Sequence, residues 1–244
     1  MPKKRLRIFA GPNGSGKSTI FEYVNKTIGC PFFVNADNIK ASLSRKGTLN
    51  FNDYAIELDL DSFLYQLKKS SWAEHIVHLD KLIQGAKVQK NCLSVPAEFV
   101  DGYFAAYVAD FIRSNMLNVV QAFTIETVLS DKRKLDYIKL AKSLGYRIYL
   151  YFVSTRDAEI NVRRVAQRVS LGGHGVPEDK IRGRYARAND NLYDTLLLCD
   201  RAYIFDNSEE NWMLLAELDQ GNVILHTDKI PLWLHDSVFA HLTE

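Results

Sequence analysis

The sequence GPNGSGKS at residues 11–18 follows an apolar run at residues 6–10 and leads into a helical run at residues 17–26. This spacing of glycines, lysine and serine between a strand and a helix is that of a Walker A loop. Its glycines let backbone N–H groups turn toward phosphate oxygens at the helix N-terminus. The stretch predicts a nucleotide-binding P-loop, against the alternative of a glycine-rich turn with an incidental lysine.

The loop supplies the first set of predicted site residues. Lys17 is expected to reach the terminal phosphates of the nucleotide, and Ser18 is expected to ligate Mg²⁺. ATP is the predicted nucleotide ahead of GTP, with Mg²⁺ as the second cofactor. The residues expected to bind the nucleotide here are Gly11, Pro12, Asn13, Gly14, Ser15, Gly16, Lys17, Ser18 and Thr19.

Further β-rich apolar runs alternate with helical stretches along the rest of the chain. The predicted strands are residues 32–35, 119–125, 147–153 and 202–205, and the predicted helices are residues 97–114, 131–144, 157–169 and 177–198. Residues 211–217 and 222–227 are predicted to form an edge hairpin, and residues 231–242 a short closing helix. The alternation predicts an α/β fold, a P-loop NTPase of three α/β/α layers with a mainly parallel sheet. We expect one kinase-like domain over residues 1–244, with a helical insertion at about 51–95.

Composition limits the partners. The 244 residues are 47% hydrophobic and carry a formal net charge of +2. This net charge is too small to attract nucleic acid to the protein as a whole. No apolar stretch approaches the roughly 20 residues that a membrane span needs. Three widely separated cysteines favour reduced thiols and a cytoplasmic location. The predicted partners are therefore a nucleotide and a small-molecule acceptor, with neither membrane nor nucleic acid.

Asp37 follows the second predicted strand, within Asn35-Ala-Asp-Asn38. A carboxylate at that strand end is placed to accept the proton of a substrate hydroxyl that attacks a γ-phosphate. The alternative is that Asp37 caps the next helix, which is a common role for aspartate. The residues alone leave both interpretations open.

Glu126 and Thr127 end the third predicted strand, at the edge where ligands of open α/β sheets bind. Glu126 is a candidate for holding Mg²⁺ through water or for binding substrate hydroxyls, because no strand supplies a standard Walker B aspartate. Asp206 is the rival carboxylate, with the alternative that it shapes a turn with Asn207.

Arginines concentrate from Arg163 to Arg187, on either side of the glycine-rich sequence GGHGV at residues 172–176, within a segment at about residues 163–191. This arrangement predicts a lid whose guanidinium groups approach the transferring phosphoryl group when the hinge closes. Arg184 and Arg187 share one face of the later predicted helix. The alternative is a solvated basic face paired with acidic residues.

Taken together, these motifs resemble the zeta toxin family of P-loop kinases, in its branch of stand-alone predicted ATPases. The matching segments are GPNGSGKST at 11–19, NAD at 35–37, ETVLS at 126–130, GYRI at 145–148, GGHGVP at 172–177, RYAR at 184–187 with Asn191-Leu192, and FDNS at 205–208. They lie in the family's order and span most of the chain. The hinge length and the 51–95 insertion depart from the typical toxin.

The resemblance implies roles for particular residues. Asp37 matches the family's base, Glu126 and Thr127 match its substrate-binding residues, and the family's lid arginines contact ATP phosphates. Arg168 and Arg184 are the predicted catalytic pair, with Arg187 next as a nucleotide contact. The family's acceptor is a UDP-N-acetylhexosamine, and an antitoxin-like protein is a further implied partner.

Two hypotheses follow from the sequence. The first is an ATP- and Mg²⁺-dependent kinase that transfers phosphate to a small-molecule hydroxyl, with Lys17, Asp37, Arg168 and Arg184 as its catalytic residues. The second is a nucleotide-binding regulatory or interaction module with slow ATP hydrolysis. A hydroxyl-directed base at Asp37 distinguishes them, because a switch protein has no use for one.

Overall fold

The computed structural model describes residues 4–173 and 175–242. In chain order its strands and helices are β1 (Arg5–Ala10), α1 (Lys17–Ile28), β2 (Phe33–Val34), α2 (Ala36–Lys46), β3 (Thr48–Asn50), α3 (Leu60–Lys69), α4 (Leu79–Gly85), β4 (Lys87–Gln89), β5 (Cys92–Ser94), α5 (Gly102–Val119), β6 (Ala122–Thr127), α6 (Arg133–Ser143), β7 (Arg147–Ser154), α7 (Ala158–Ser170), α8 (Glu178–Asp190), α9 (Leu192–Leu196), β8 (Arg201–Asp206), β9 (Met213–Asp219), β10 (Asn222–Leu225) and α10 (Leu232–Ser237). In the described ranges, no helix combines the length and the apolar character that crossing a membrane requires.

The chain divides into two compact units, Met1–Pro31 with Thr124–Glu244, and Phe32–Phe123. In the first unit, strands β10, β9, β8, β7, β1 and β6 lie side by side in that order. β7 runs parallel to both β1 and β8, whereas β9 is antiparallel to β8 and to β10. Both faces of β1 and β7 are buried, as expected for parallel strands covered on two sides.

One face of this sheet is covered by α1. Phe9, Tyr151 and Phe205, from three neighbouring strands, form a buried cluster with Ile20 and Val24 of α1. The rings of Phe9 and Tyr151 stack with centroids 4.6 Å apart. This packing fixes α1, and with it the loop that precedes α1, against the centre of the sheet.

The opposite face is covered by α10, since successive side chains of a strand alternate between faces. Phe152, next to Tyr151, has its ring centroid 6.2 Å from that of Trp233 in α10. Ile204, next to Phe205, lines an apolar cavity with Leu234. The predicted three-layer α/β fold is therefore confirmed.

Two helical predictions need correction. The helix predicted for residues 177–198 is divided into α8 and α9 at Asn191, whose amide Nδ2 donates to the Leu129 carbonyl oxygen at 2.9 Å. Pro177 is the N-cap of α8 instead of its first helical residue.

The predicted edge hairpin is present as β9 and β10, with Gln220 and Gly221 as a two-residue turn in which both φ angles are positive.

The second unit is built around α5. Phe63 of α3 meets Phe104 and Phe111 of α5 edge to face, and Tyr107 of α5 donates its hydroxyl to the Phe63 carbonyl oxygen at 2.6 Å. Strands β3, β5 and β4 form a separate antiparallel sheet. The 51–95 segment, predicted as helical, thus also contributes β4 and β5, and α2 lies outside all the predicted helices.

Candidate active site

The P-loop connects the carboxyl end of β1 to the N-terminus of α1. Gly11, Gly14 and Gly16 have φ angles of 138°, 78° and 94°, which side chains rarely adopt. A Cβ on Gly11 would lie 2.0 Å from the Val153 carbonyl oxygen, and one on Gly14 would lie 2.7 Å from that of Asn161. The loop is therefore pressed against the ends of β7 and α7, where only glycine fits.

The first turn of α1 has the features of an anion site. Gly16 is the N-cap, and no side chain caps the helix there. Uncapped N–H groups at a helix N-terminus favour a phosphate group through hydrogen bonding and the helix dipole. Ser18 and Thr19 are exposed on this turn.

Lys17 lies over the loop instead of extending into solvent. Its Nζ donates to the Pro12 carbonyl oxygen at 2.9 Å and lies 3.8 Å from Glu126 Oε1. Both side chains are largely buried, with 7% of Lys17 and 14% of Glu126 exposed. The structure therefore brings together the predicted phosphate-binding lysine and the predicted carboxylate at the end of β6.

Thr127 has a local structural role. Its Oγ1 accepts the Leu129 backbone N–H at 3.3 Å, and Leu129 has a positive φ of 61°. Thr127 thus shapes the turn that leads from β6 to Ser130. That turn carries the contact of Arg187, whose Nε donates to the Ser130 carbonyl oxygen at 3.3 Å.

Arg184 reaches the P-loop directly. Its Nη1 donates to Asn13 Oδ1 at 3.1 Å, so a guanidinium group from α8 lies beside the loop. Arg168 lies exposed in the last turn of α7, and its carbonyl oxygen accepts the Gly173 N–H at 2.9 Å. The structure thus places Arg184 at the P-loop and Arg168 next to the predicted hinge. His174, at the middle of that hinge, lies outside the described residues.

The lid helices are hydrogen-bonded to the end of β7. The Tyr185 hydroxyl donates to the Thr155 carbonyl oxygen at 2.6 Å, and Ser154 Oγ donates to Asn189 Oδ1 at 2.9 Å. Thr155 Oγ1 donates in turn to Asn161 Oδ1 of α7 at 2.6 Å. Burial raises the pKa of Tyr185 to about 12, so its hydroxyl remains a donor at neutral pH. These bonds hold Arg184 near Asn13.

Asp206, the rival carboxylate, is engaged in structural contacts. Its Oδ2 accepts the Trp233 Nε1–H at 2.7 Å, and its Oδ1 accepts the Ser208 backbone N–H at 2.8 Å. The alternative that Asp206 shapes the turn after β8 is the one observed. The next residue, Asn207, donates from Nδ2 to the Ser15 carbonyl oxygen at 2.9 Å, a P-loop contact that the sequence prediction missed.

In the second unit, the capping role proposed for Asp37 belongs to another residue. Asn35 is the N-cap of α2, and its Oδ1 accepts the backbone N–H groups of Asp37 and Asn38 at 2.7 and 3.1 Å. Asp37 lies exposed in the first turn of the helix, and no residue described in this unit pairs with its carboxylate. Helix capping therefore does not account for this aspartate.

No protein-family model matches the chain. An uncharacterized protein of Haemophilus influenzae is 35% identical over 63 residues, which are 26% of this chain and 45% of that protein. A chain in the crystal structure of AvrRxo1-ORF1:-ORF2 with ATP aligns with a TM-score of 0.58 and 16% identity, over 92% of this chain and 61% of its own.

A second similar structure comes from the PezAT chromosomal toxin–antitoxin system of Streptococcus pneumoniae. It aligns with a TM-score of 0.54 and 14% identity, over 98% of this chain and 80% of its own. At such identities the likeness concerns the fold. The chain therefore shares its fold with the aligned chains of these two structures, over more than nine tenths of its length.

Proposed function

We propose that this protein is an ATP- and Mg²⁺-dependent kinase that transfers the γ-phosphoryl group to a hydroxyl of a small molecule. The observation that carries the proposal is the hydrogen bond from Arg184 to Asn13, because it adds a second cation beside a loop that already holds Lys17. Phosphoryl transfer depends chiefly on positioning and on cations that stabilise the charge of the transferred group.

Each residue has a part in this proposal. Backbone N–H groups of the P-loop and Lys17 would hold the β- and γ-phosphates. Arg184 would stabilise the negative charge of the phosphoryl group in the transition state of its transfer. Arg168 and Arg187 are proposed as further phosphate contacts from the lid. Glu126 and Thr127 are proposed to orient the acceptor hydroxyl. A lid that closes at residues 172–176 would exclude water from the transfer.

The proposed Mg²⁺ site fits the residues present. Ser18 offers an exposed hydroxyl on the first turn of α1, and Glu126 offers a carboxylate 3.8 Å from Lys17, so hard oxygen ligands are available. When bound, Mg²⁺ would neutralise charge on the β- and γ-phosphates. Ser18 would ligate Mg²⁺ through its hydroxyl, and Glu126 would hold the ion through a water molecule.

Asp37 is proposed as the base that accepts the proton of the attacking hydroxyl. It is exposed, it is not used as the cap of α2, and it matches the base of the zeta toxin family in the NAD segment at 35–37. Following the same resemblance, the first acceptor to test is a UDP-N-acetylhexosamine. An antitoxin-like protein partner is proposed on the same ground, since PezAT is a toxin–antitoxin system.

The test is a transfer assay with ATP labelled in its γ-phosphate, run against UDP-N-acetylhexosamines and a panel of sugars and other metabolites. We expect label in a small-molecule product for the wild type. Asp37→Asn should bind ATP normally and lose transfer by about 10²-fold or more, the usual contribution of a general base. Full transfer by Asp37→Asn would show that the base is another group.

A matched control is available within the same unit. Asp61 occupies the same place in α3 as Asp37 in α2, exposed in the first turn with its N–H bonded to the N-cap Asp59 at 3.2 Å. Asp61→Asn therefore reproduces the loss of charge near a helix N-terminus and should leave transfer unchanged. Label found only in inorganic phosphate, for every acceptor, would instead support a regulatory module with slow hydrolysis.

A further inference from the structure

Asn207, the residue directly after β8, forms hydrogen bonds with three separate parts of the first unit. Its backbone N–H donates to the Ser154 carbonyl oxygen at 2.9 Å, and its side-chain Nδ2 donates to the Ser15 carbonyl oxygen at 2.9 Å. Its own carbonyl oxygen accepts Arg164 Nη1–H at 2.6 Å. Asn207 is thus held by β7 and α7 while it holds the P-loop.

The contact with the P-loop is closely packed. A Cβ on Gly16 would lie 2.1 Å from Asn207 Nδ2, so the carboxamide occupies the space beside the glycine. Gly16 is also the N-cap of α1 and has no side-chain cap. The Asn207 side chain therefore lies against the residue where the loop becomes the helix.

The consequence for phosphate binding comes from peptide geometry. In a trans peptide the C=O of Ser15 and the N–H of Gly16 belong to one rigid plane and point in opposite directions. Since Asn207 draws the Ser15 carbonyl toward β8, the Gly16 N–H is directed to the other side of that plane. N–H groups in this position of a P-loop face the phosphates.

We infer that Asn207 is a positioning residue for the phosphate loop, which acts by holding the Ser15 carbonyl so that the Gly16 N–H points toward bound phosphate. Arg164 supports it by fixing the Asn207 main chain, with a second bond from Nη2 to the Glu209 carbonyl oxygen at 3.3 Å. This inference rests on the nucleotide binding proposed above. It adds a residue 192 positions from the loop to the determinants of phosphate affinity.

The experiment measures the affinities of ATP and adenosine for Asn207→Ala and Asn207→Asp by titration, together with the unfolding midpoint of each variant. Asn207→Ala should weaken ATP binding about tenfold, which corresponds to about 1.4 kcal/mol. Adenosine, which lacks phosphates, should bind the variant as it binds the wild type. Asn207→Asp has nearly the same shape, so it tests the donor if the alanine variant folds poorly.

The aspartate variant also gives a pH signature. At pH 7.5 its carboxylate cannot donate to the Ser15 carbonyl oxygen, whereas the carboxyl that forms as the pH falls toward the ordinary aspartate pKa of about 3.9 can. The ATP affinity of Asn207→Asp relative to wild type should therefore recover as the pH falls, while that of Asn207→Ala should not. A loss of packing alone predicts no such recovery.

Ser208→Ala is the matched control, since Ser208 Oγ accepts the Arg156 N–H at 2.7 Å in the same turn and makes no P-loop contact among the described residues. It should change ATP affinity less than about twofold. The inference is overturned if Asn207→Ala and Asn207→Asp keep wild-type ATP affinity, or if ATP and adenosine weaken equally. Lys17→Ala distinguishes failure of this inference from failure of the proposed nucleotide site. If Lys17→Ala also binds ATP like the wild type, the proposed nucleotide site itself is wrong.

Discussion

At the level of single residues, two of the three arginines of α8 have different environments. Arg184 donates to an amide oxygen of the P-loop, whereas Arg182 pairs with Glu159 and Glu178 on the exposed surface of the lid helices. The glutamate partners raise the pKa of Arg182 further. Arginine side chains in general keep their charge in proteins. Position relative to the loop, and not charge, therefore distinguishes them.

From this contrast we expect different kinetic effects in α8. Arg184→Ala should lower kcat by about 10²-fold or more, because it removes the cation that we propose stabilises the transferring phosphoryl group. The Kd for ATP should change less than about threefold, since the interaction strengthens in the transition state. Steady-state kinetics and ATP titration measure the two effects.

Arg182→Ala provides the comparison, since it removes one positive charge two residues away without touching Asn13. It should keep its kcat within about twofold, because exposed ion pairs contribute little. Equal losses of kcat and of ATP affinity in Arg184→Ala would contradict the assignment and indicate a contact made in the ground state.

At the scale of the element, α7 and α8 are joined to the end of β7 by a buried polar network. The network consists of the side chains or carbonyl groups of Tyr185, Ser154, Thr155, Asn161 and Asn189. In the described part of the connection, Gly172 and Gly173 are exposed and take no part in this network, and Gly172 has a φ of 82°. The lid movement that we propose would bend there while the C-terminal part of α8 stays near the P-loop.

The network predicts a dependence of stability on alkaline pH. The pKa of Tyr185 rises from 10.0 to about 12 on folding because the ring is buried, so above pH 10 the unfolded chain loses a proton that the folded chain keeps. The free energy of unfolding should fall as the pH rises from about 10 to about 12. Burial gives Tyr151 the same direction and a pKa of about 12.

Urea unfolding at a series of pH values tests this account. Tyr185→Phe should lower the stability at pH 8 by about 1 kcal/mol, since it leaves the Thr155 carbonyl oxygen without its donor. It should also make the decline above pH 10 shallower. Tyr23→Phe, on a ring that is 53% exposed, should leave the slope as in the wild type. An unchanged slope in Tyr185→Phe would count against the tyrosine as its source.

At the scale of the whole molecule, the proposed nucleotide site belongs to the unit that is made of both ends of the chain, Met1–Pro31 and Thr124–Glu244. A ligand that binds the folded state alone stabilises it according to its concentration relative to Kd. ATP with Mg²⁺ at 100 times Kd should therefore raise the free energy of unfolding by about 2.7 kcal/mol. GTP should give a smaller rise at the same concentration.

Chemical unfolding with and without nucleotide measures this stabilisation. Lys17→Ala should abolish most of it, because the lysine is held at the loop by Pro12. Lys26→Ala, an exposed lysine in the last turn of the same helix, should retain it. A wild-type protein whose stability does not respond to ATP or GTP would contradict the nucleotide site.

Much of the first unit was predictable because its signals are local. The buried strands and the hairpin of β9 and β10 come from short-range apolar patterns and from turn residues such as Gly221. The second unit was harder to predict, since β3, β4 and β5 are only three residues long. Strands this short give no recognisable alternation of apolar and polar residues, and their pairing depends on contacts between strands. The division at Asn191 was missed, and the side-chain bond that Asn191 makes there reaches Leu129, 62 positions away.

The P-loop could be predicted from local sequence, since a strand, three glycines at fixed spacing and a helix start specify it within about ten residues. The residues that surround the loop are known only from the folded structure. Arg184 meets Asn13 across 171 positions, and Asn207 meets Ser15 across 192. Such contacts depend on strand order, because parallel strands bring their carboxyl ends to one edge of the sheet regardless of how far apart they lie in the chain.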